Sequence, residues 1–403
     1  MTTPTTRGKL ALFSGLYFAQ GVPWGFFTVA ILLRLTTLGL GSAAIGSLIS
    51  AAWLPWTFKP LLGPLADWLG RRKPIILGAE LGMAISLAVL SLVNPTGQLE
   101  LFTALLFVHN TFAAVQDVGT DALALDLLTV EERGRANGFM SAAKYLGMFV
   151  GGQGLLFLAQ QVGWFPAHLF AIGLLLVPAG LLIRFAEPAR VRLPTVALTK
   201  QIITLVKTRV VLLALVFAVV VDSADSLLMP MILPFYNKTL GFSEQAIATL
   251  SSIGGAVAAA GSVLGGALCD RFGRRQTLIW GCLTSAALTL LFTSCANWWG
   301  NYPFLLSFTV VGAMVSGMIS TAILALFMDL TSKTFPATHF QLYMALMNTR
   351  GIWATRLGGS LSERFAPATM FRFSAVVEVV PLALLYWLGR PEKQTRDSDG
   401  LPP

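Results

Sequence analysis

The sequence predicts an all-α polytopic membrane protein whose twelve transmembrane helices form two six-helix parallel repeats. Of the 403 residues, 55% are hydrophobic and 12% are charged, about half the charged fraction of an average soluble domain. Apolar runs of about 20 residues, the length that crosses a bilayer as a helix, recur along the whole chain. These runs are too continuous for the alternating strands of a membrane barrel, so they indicate helices with internally satisfied backbones.

Six apolar segments are predicted in the first half of the chain. No small-residue cleavage site follows the first segment, so it is predicted to be a retained helix rather than a signal peptide. Pro23 lies between Gly21 and Gly25 in that segment, which indicates either a helix opened beside a cavity or a plain kink. The six segments cover 10–35, 43–65, 75–93, 99–128, 136–159 and a last stretch that ends near 185.

Six more apolar segments follow a long polar interval. That interval, 187–209, carries five basic residues and two prolines. It is predicted to be a cytoplasmic linker between a first half, 1–186, and a second half, 210–389. The polar tail, 390–403, is predicted to be disordered. The six segments cover 210–236, 244–268, 277–296, 303–330, 338–361 and 370–389.

One motif occurs twice in the chain. The pattern G-x-x-x-D-x-x-G-R-R begins at Gly63 and again at Gly266, at an offset of 203 residues. At the same offset Asp126 matches Asp329, and each is followed by a leucine and a polar loop. Two matches at one offset indicate a duplication, with the two halves related as parallel repeats.

Basic residues predict the orientation. They cluster before the first segment, in both G-x-x-x-D-x-x-G-R-R loops, in the central interval and in the tail, whereas the opposite loops carry few. By the positive-inside rule the basic side, including both termini, is cytoplasmic. These loops account for the net charge of +9, so nucleic acid is not expected as a partner.

Neither a metal ion nor a cofactor is expected. Cys269, Cys282 and Cys295 lie in or near apolar runs without C-x-x-C pairing or a histidine companion, a pattern typical of small buried residues. The phosphate-binding pattern G-x-x-x-x-G-K-[ST] does not occur in the sequence, so coupling to ATP is not expected.

The doubled motif resembles the signature loop of the major facilitator superfamily. The resemblance implies a secondary transporter that works by alternating access of two six-helix halves. The motif glycines allow close helix approach, while its Asp and Arg residues can pair across cytoplasmic loops and stabilise one gate state. The predicted gate residues are Asp67, Arg71, Arg72, Asp126, Asp270, Arg274, Arg275 and Asp329.

A narrower resemblance is to AmpG-type muropeptide permeases. It implies proton-coupled import of a bulky, anionic, muropeptide-like solute across the bacterial inner membrane. Related permeases take up siderophores, which is the alternative. The stretches that carry the resemblance are Gln116-Asp117, Asp121, Asp126, Glu131-Glu132-Arg133-Gly134 and Lys144-Tyr145-Leu146-Gly147-Met148, and Lys59-Pro60 and Gln20-Gly21-Val22-Pro23 also suit the group and the related acetyl-CoA transporters.

Asp117 and Asp121 are predicted to carry the coupling proton. They are four residues apart in the fourth segment, so they share a helix face at about 6 Å. A carboxylate at membrane depth costs roughly 2.5–3.5 kcal/mol on insertion scales and usually faces a cavity or a partner. Structural pairing is the alternative role for both. Asp126 lies on the opposite helix face near the cytoplasmic mouth, which favours a gate role.

Further polar residues in the apolar segments are predicted to bind the solute. Lys144 and Arg350 could bind an anionic group or pair with an acid, and Lys144 is a natural partner for Asp117 or Asp121. Asp222 and Asp225 share a face of the seventh segment, which is the repeat mate of the first. The predicted substrate-binding residues are Gln20, Gln116, Lys144, Asp222, Asp225 and Arg350.

Other acids and histidines are expected to be structural. Glu80 and Glu378 are single acids in the third and twelfth segments, and we expect structural pairing or interfacial exposure. His109 is expected to be a hydrogen-bonded core residue rather than a proton relay. An intramembrane hydrolase with paired aspartates is a competing class, but it has no need of two symmetric loops. We therefore predict a transporter, not an enzyme. We also expect it to be a monomer.

Overall fold

The computed structural model describes residues 5–40, 48, 51–52, 54–187 and 208–388. The tail predicted to be disordered, almost all of the predicted linker and part of the second predicted segment lie outside these residues. The first half contains the helices α1 Thr6–Gly25, α2 Leu32–Thr37, α3 Lys59–Leu69, α4 Lys73–Leu92, α5 Leu99–Leu127, α6 Val130–Phe149, α7 Leu155–Val162 and α8 Trp164–Ile183.

The second half repeats this helical order. Its helices are α9 Arg209–Val220, α10 Ser223–Pro234, α11 Glu244–Phe272, α12 Arg274–Ser294, α13 Tyr302–Leu330, α14 Pro336–Ser362, α15 Pro367–Val379 and α16 Leu382–Trp387. Three π-helical stretches, Phe26–Ile31, Val150–Gly154 and Phe235–Thr239, continue α1, α6 and α10. The first of them begins next to Gly25, so the irregularity that Pro23 indicated lies just after that proline.

Within the described ranges, ten helical stretches are long and apolar enough to cross a membrane. The eleventh predicted segment is also present as α14, whose 27 residues extend about 40 Å at 1.5 Å per residue. Its polar residues, such as Asn348, Arg350 and Arg356, lower its hydropathy below that of a lipid-facing span. The all-α prediction is confirmed, and with α14 and the partly described second segment the count is consistent with twelve.

The described residues fall into two compact units that exchange short segments. Unit 1 comprises Met1–Glu132, Phe139–Leu198 and Ser332–Gln341, and unit 2 comprises Arg133–Gly138, Thr199–Thr331 and Leu342–Pro403. Helices α6 and α14 therefore each belong to both units. The exchanged part of α6 matches the first six residues of α14 at the repeat offset of 203.

Each unit has its own apolar core. In unit 1 the core gathers residues such as Phe26, Met83 and Phe102. In unit 2 it is largely aromatic, with Phe292 stacked on Trp299 at a centroid distance of 5.2 Å. Since lipid gives helices no hydrophobic reason to associate, such packing supplies much of the association energy.

Glycines permit a close crossing of α1 and α6 in unit 1. A Cβ atom on Gly21 would overlap the carbonyl oxygen of Lys144, and one on Gly147 would overlap that of Phe18. Gly25 and Gly151 continue the same contact one turn further on. This small-xxx-small arrangement holds α1 against α6 at backbone distance and thereby positions Tyr17 and Lys144.

Candidate functional site

Asp117 lies on α5 in unit 1 and forms an ion pair with Lys59. Both side chains are buried, Asp117 at 3% and Lys59 at 6% exposure. Lys59 is the first residue of α3, and its ammonium nitrogen also lies 4.6 Å from the centroid of the Trp56 ring. The structure thus gives Lys59 the role for which the sequence had suggested Lys144.

Asp121, one turn further along α5, has neutral partners. The Tyr17 hydroxyl donates to its Oδ1 at 2.5 Å, and the Gln341 amide Nε2 donates to its Oδ2 at 2.9 Å. Asp121 is 3% exposed and Gln341 is fully buried. Gln341 comes from the segment of α14 that belongs to unit 1. The two aspartates therefore share a helix face, as predicted, but one faces a cation and the other faces neutral donors.

The other predicted substrate residues of unit 1 lie on α1, α5 and α6. Gln116 Nε2 lies 3.4 Å from both the Leu16 carbonyl oxygen and Glu80 Oε1. Gln20 is 6% exposed, and within the described ranges neither its amide oxygen nor its nitrogen has a hydrogen-bond partner. Lys144 places its nitrogen 5.8 Å from the centroid of the Tyr17 ring.

Two residues expected to be structural are fully buried in unit 1. His109 Nδ1 lies 3.0 Å from the Ser86 hydroxyl and 3.2 Å from the Met83 carbonyl oxygen, which fits a hydrogen-bonded core residue. Glu80 has no exposure at all, so it is not an interfacial residue. Its Oε2 finds no hydrogen-bond partner among the residues that the structure describes.

The first copy of the doubled motif lies in unit 1 and binds the start of α14. The Asp67 carboxylate accepts from the Thr338 backbone N–H at 2.8 Å, from the Thr338 hydroxyl at 2.7 Å and from the Ala337 N–H at 3.3 Å. The two backbone N–H groups are free donors of a helix N-terminus, where a negative charge is also favourable. Arg72 holds Asp67 from the other side at 2.7 Å and reaches Asp126 at 3.2 Å.

The second copy lies in unit 2 and binds α6 in the corresponding way. Asp270 accepts from the Arg135 backbone N–H at 2.8 Å, and Arg135 matches Thr338 at the repeat offset of 203. Asp329 pairs with Arg274 at 3.1 Å and with Arg133 at 3.0 Å. Sequence reasoning did not single out Arg133 as a gate residue, although it lies in the loop stretch that carries the narrower resemblance.

The two motif copies use different arginines of their Arg-Arg pairs. In unit 1 the second one, Arg72, is buried and paired, while Arg71 is exposed. In unit 2 the first one, Arg274, makes the ion pairs, and no ion pair of Arg275 occurs in the described ranges. Six of the eight predicted gate residues therefore join these two clusters, which are Asp67, Arg72 and Asp126 in unit 1 and Asp270, Arg274 and Asp329 in unit 2.

The predicted acids of unit 2 lie where the seventh predicted helix is interrupted. Asp222 has a φ of 60°, in the left-handed region, and separates α9 from α10. Arg350 of α14 donates to the Asp222 carboxylate at 2.6 Å and to the Val221 carbonyl oxygen at 2.9 Å. The helix break thus frees a backbone carbonyl for Arg350, an arrangement tolerated at membrane depth only inside protein or beside a cavity.

A cavity of about 350 Å³ lies beside this break in unit 2. Asp222, Asp225 and Glu378 line it together with Ser316, whose hydroxyl lies 3.4 Å from Asp225. Glu378 is 4% exposed, so interfacial exposure is wrong for this residue too. The structure thereby adds Glu378 to the predicted pair of acids, and its only signal in the sequence is a lone acid in an apolar segment.

Comparison with known proteins identifies the family. The sequence model of the Major Facilitator Superfamily matches residues 13–349, and a second match covers 214–403. The chain belongs to the major facilitator superfamily. It is therefore a multi-pass membrane protein and a secondary transporter of an organic solute.

Known relatives and solved structures agree with this membership. The anhydromuropeptide permease of Escherichia coli K12 is 28% identical over 98% of this chain and 82% of its own length. The resemblance to AmpG-type permeases is thus confirmed. Among solved structures, the transporter FucP in an outward conformation has a TM-score of 0.77 at 14% identity, covering 94% of this chain and 98% of its own. A bacterial homologue of the iron transporter ferroportin has a TM-score of 0.70 at 15% identity, covering 97% of this chain and all of its own.

Proposed function

We propose that this protein imports a bulky, anionic solute of the muropeptide class across the bacterial inner membrane, coupled to protons. The observation that carries the proposal is the buried pair on α5, in which Asp117 has a cationic partner and Asp121 has only neutral ones. The relative from Escherichia coli, named an anhydromuropeptide permease, supports the solute class.

Charge balance favours Asp121 as the residue that binds the proton. The Lys59 ammonium group pairs with Asp117, and Asp121 forms no ion pair with any residue that the structure describes, although both carboxylates are only 3% exposed. A neutral Asp117 would leave the buried Lys59 ammonium group uncompensated, which is costly. Asp117 is therefore held in its charged form. A proton on Asp121 would cancel the remaining negative charge, which is costly at membrane depth.

The Gln341 contact provides a way for that proton to act on the gate. Gln341, which donates to the Asp121 carboxylate, lies three residues after Thr338 in α14. Thr338 in turn binds Asp67. Protonation weakens a charge-assisted hydrogen bond to a neutral one, roughly halving its strength. We infer that proton uptake loosens the start of α14 and so favours opening of the cytoplasmic gate, since a ligand acts through its differential interaction with two states.

Lys144 and Gln20 in unit 1 and Arg350 in unit 2 are the proposed contacts for the anionic solute. Gln20 offers a buried amide whose two polar atoms have no partner in the described residues, and Lys144 offers an ammonium group. Ammonium and guanidinium groups bind carboxylates through charge-assisted hydrogen bonds.

The positive-inside rule supports cytoplasmic termini, and we propose that the monomer is the working form.

Uptake by proteoliposomes under an imposed pH gradient tests the proposal. Anhydro-muropeptide should accumulate when the outside is acidic, and Asp121→Asn should abolish that accumulation. Glu100→Gln, which changes an exposed acid at the start of α5, is the matched control and should accumulate solute as the wild type does.

Two outcomes would contradict the proposal. If Asp121→Asn leaves pH-driven accumulation intact, Asp121 does not bind the coupling proton, and if Asp117→Asn leaves it intact as well, neither aspartate takes part in coupling. If a ferric siderophore accumulates and the muropeptide does not, the solute class is wrong while the coupling stands.

A further inference from the structure

We propose that the cavity in unit 2 binds an organic ammonium group, one that the transported solute carries in addition to its anionic part. The inference rests on the proposed function, because it names a further chemical feature of the same solute. Its basis is the charge, the lining and the volume of the cavity beside the interrupted helix.

The acids of the cavity outnumber their cations. Asp222, Asp225 and Glu378 line it, and Arg350, bound to Asp222 at 2.6 Å, forms the one ion pair with these three in the part of the chain that the structure describes. Buried carboxylates at membrane depth are normally paired or serve a substrate, ion or proton. Two carboxylates are thus left facing the cavity without a cation.

Glu378 is the residue that points most clearly to a ligand. It is 4% exposed and lines the cavity. Its one hydrogen-bonding neighbour among the described residues is the Cys282 thiol, and a thiol is a weak donor. A buried carboxyl with no nitrogen or oxygen donor beside it has full capacity left for an ammonium group.

The walls and the size of the cavity favour an organic cation over a bare metal ion. Phe292, Phe308 and Phe371 form apolar walls next to the acids, and aromatic faces attract ammonium groups. A volume of about 350 Å³ accommodates an alkyl chain with its ammonium head. A site for a hard cation such as Na⁺ would instead enclose the ion with six or so oxygen ligands at short range.

The helix break holds Arg350 beside one acid of the cavity. Arg350 donates to both the Asp222 carboxylate and the Val221 carbonyl oxygen, so two acceptors at the break fix its guanidinium group. Its ion pair is therefore with Asp222 rather than with Asp225 or Glu378. An amine and a carboxylate on one solute could then be bound side by side by these acids and by Arg350.

Binding of a small amine to the purified full-length protein tests the inference without any need for transport. The probe is n-butylammonium chloride, compared with n-butanol and with NaCl at equal concentration, and the readout is thermal unfolding in detergent. We expect a saturable rise in the apparent Tm with the amine only. Glu378→Gln should weaken the apparent affinity at least tenfold, whereas Glu363→Gln, at an exposed acid, should leave it unchanged.

Equal effects of n-butylammonium and n-butanol, or no effect of either, would overturn the inference. An equal effect of NaCl would assign the cavity to a metal ion or to general screening instead, which also overturns it. Failure of pH-driven muropeptide uptake is a separate result that concerns the proposed function, because the amine titration reports on the cavity alone.

Discussion

Gln341 donates its side-chain amide to the carboxylate of Asp121 at 2.9 Å, although 220 residues separate the two in the sequence. The contact joins the first turns of α14, from the second half of the chain, to the acid pair of the first half. Because α14 continues into unit 2 and carries Arg350, one helix contacts both groups of buried acids.

Gln341→Leu should destabilise the protein through this contact. A hydrogen bond to a charged group contributes about 1.5–3 kcal/mol, and the apolar variant leaves Asp121 with Tyr17 alone. We expect the apparent Tm in detergent to fall by about 2–4 °C or more. Gln245→Leu, at an exposed position in α11, is the control, and equal Tm values for the two variants would show that the contact contributes nothing.

Lys59 and Asp117 should behave as a buried ion pair. Lys59→Met leaves a buried carboxylate without its cation, which costs about 3–5 kcal/mol, and Asp117→Leu leaves the ammonium group in the same position. The double variant should lose less unfolding free energy than the two single variants lose together. The difference, which is the coupling energy, should be about 0.5–3 kcal/mol. Thermal unfolding of the four proteins measures this cycle, and strict additivity would argue against the pair.

The more exposed pair of Lys9 and Glu132 provides a comparison for that cycle. Its atoms lie 2.7 Å apart with side-chain exposures of 14% and 16%. Ion pairs with access to solvent contribute about 0–1 kcal/mol. We therefore expect Lys9→Met to lower the apparent Tm much less than Lys59→Met does.

Substituting the two arginines of each motif copy should have unequal effects on stability and uptake. Arg72→Gln removes a buried cation from Asp67 and Asp126 and should reduce both stability and uptake, by an amount corresponding to about 3–5 kcal/mol. Arg71→Gln changes an exposed side chain and should be within about 0.5 kcal/mol of the wild type.

The order of importance should be reversed in the second motif copy. There Arg274→Gln should be the damaging variant and Arg275→Gln the mild one, because Arg274 pairs with Asp329. Uptake and apparent Tm are measured for all four variants. Equal damage from both members of a pair would contradict the packing described above.

Gly21→Ala should weaken the crossing of α1 and α6. Its added Cβ would overlap the Lys144 carbonyl oxygen, so the helices must separate, and overpacking of this kind costs about 1–3 kcal/mol or more. Gly78→Ala is the matched control, because a Cβ there meets nothing within 4 Å and alanine favours the helix by about 0.5–1 kcal/mol. Thermal unfolding should show opposite shifts, and a shift of the same sign in both would contradict the close approach.

Much of the fold follows from local features of the sequence. Lipid offers no hydrogen bonds to the backbone, so long apolar runs must be helices. The repeat offset of 203 makes Asp67 the equivalent of Asp270 and Asp126 the equivalent of Asp329. The spacing of Asp117 and Asp121 placed them on one helix face for the same local reason. Those predictions needed only hydropathy, periodicity and internal symmetry.

The partners of these residues depend on the tertiary structure. Lys59, Tyr17 and Gln341 lie 58, 104 and 220 residues from the aspartates that they contact, and no periodicity relates such positions. Arg274 and Arg275 differ by about 100° around α12, and Arg71 and Arg72 lie in the turn before α4, so only the packing decides that Arg72 and Arg274 are the paired ones. Which side chains meet is determined by how helices cross, and the crossing of α1 and α6 in turn depends on where glycines let two backbones approach.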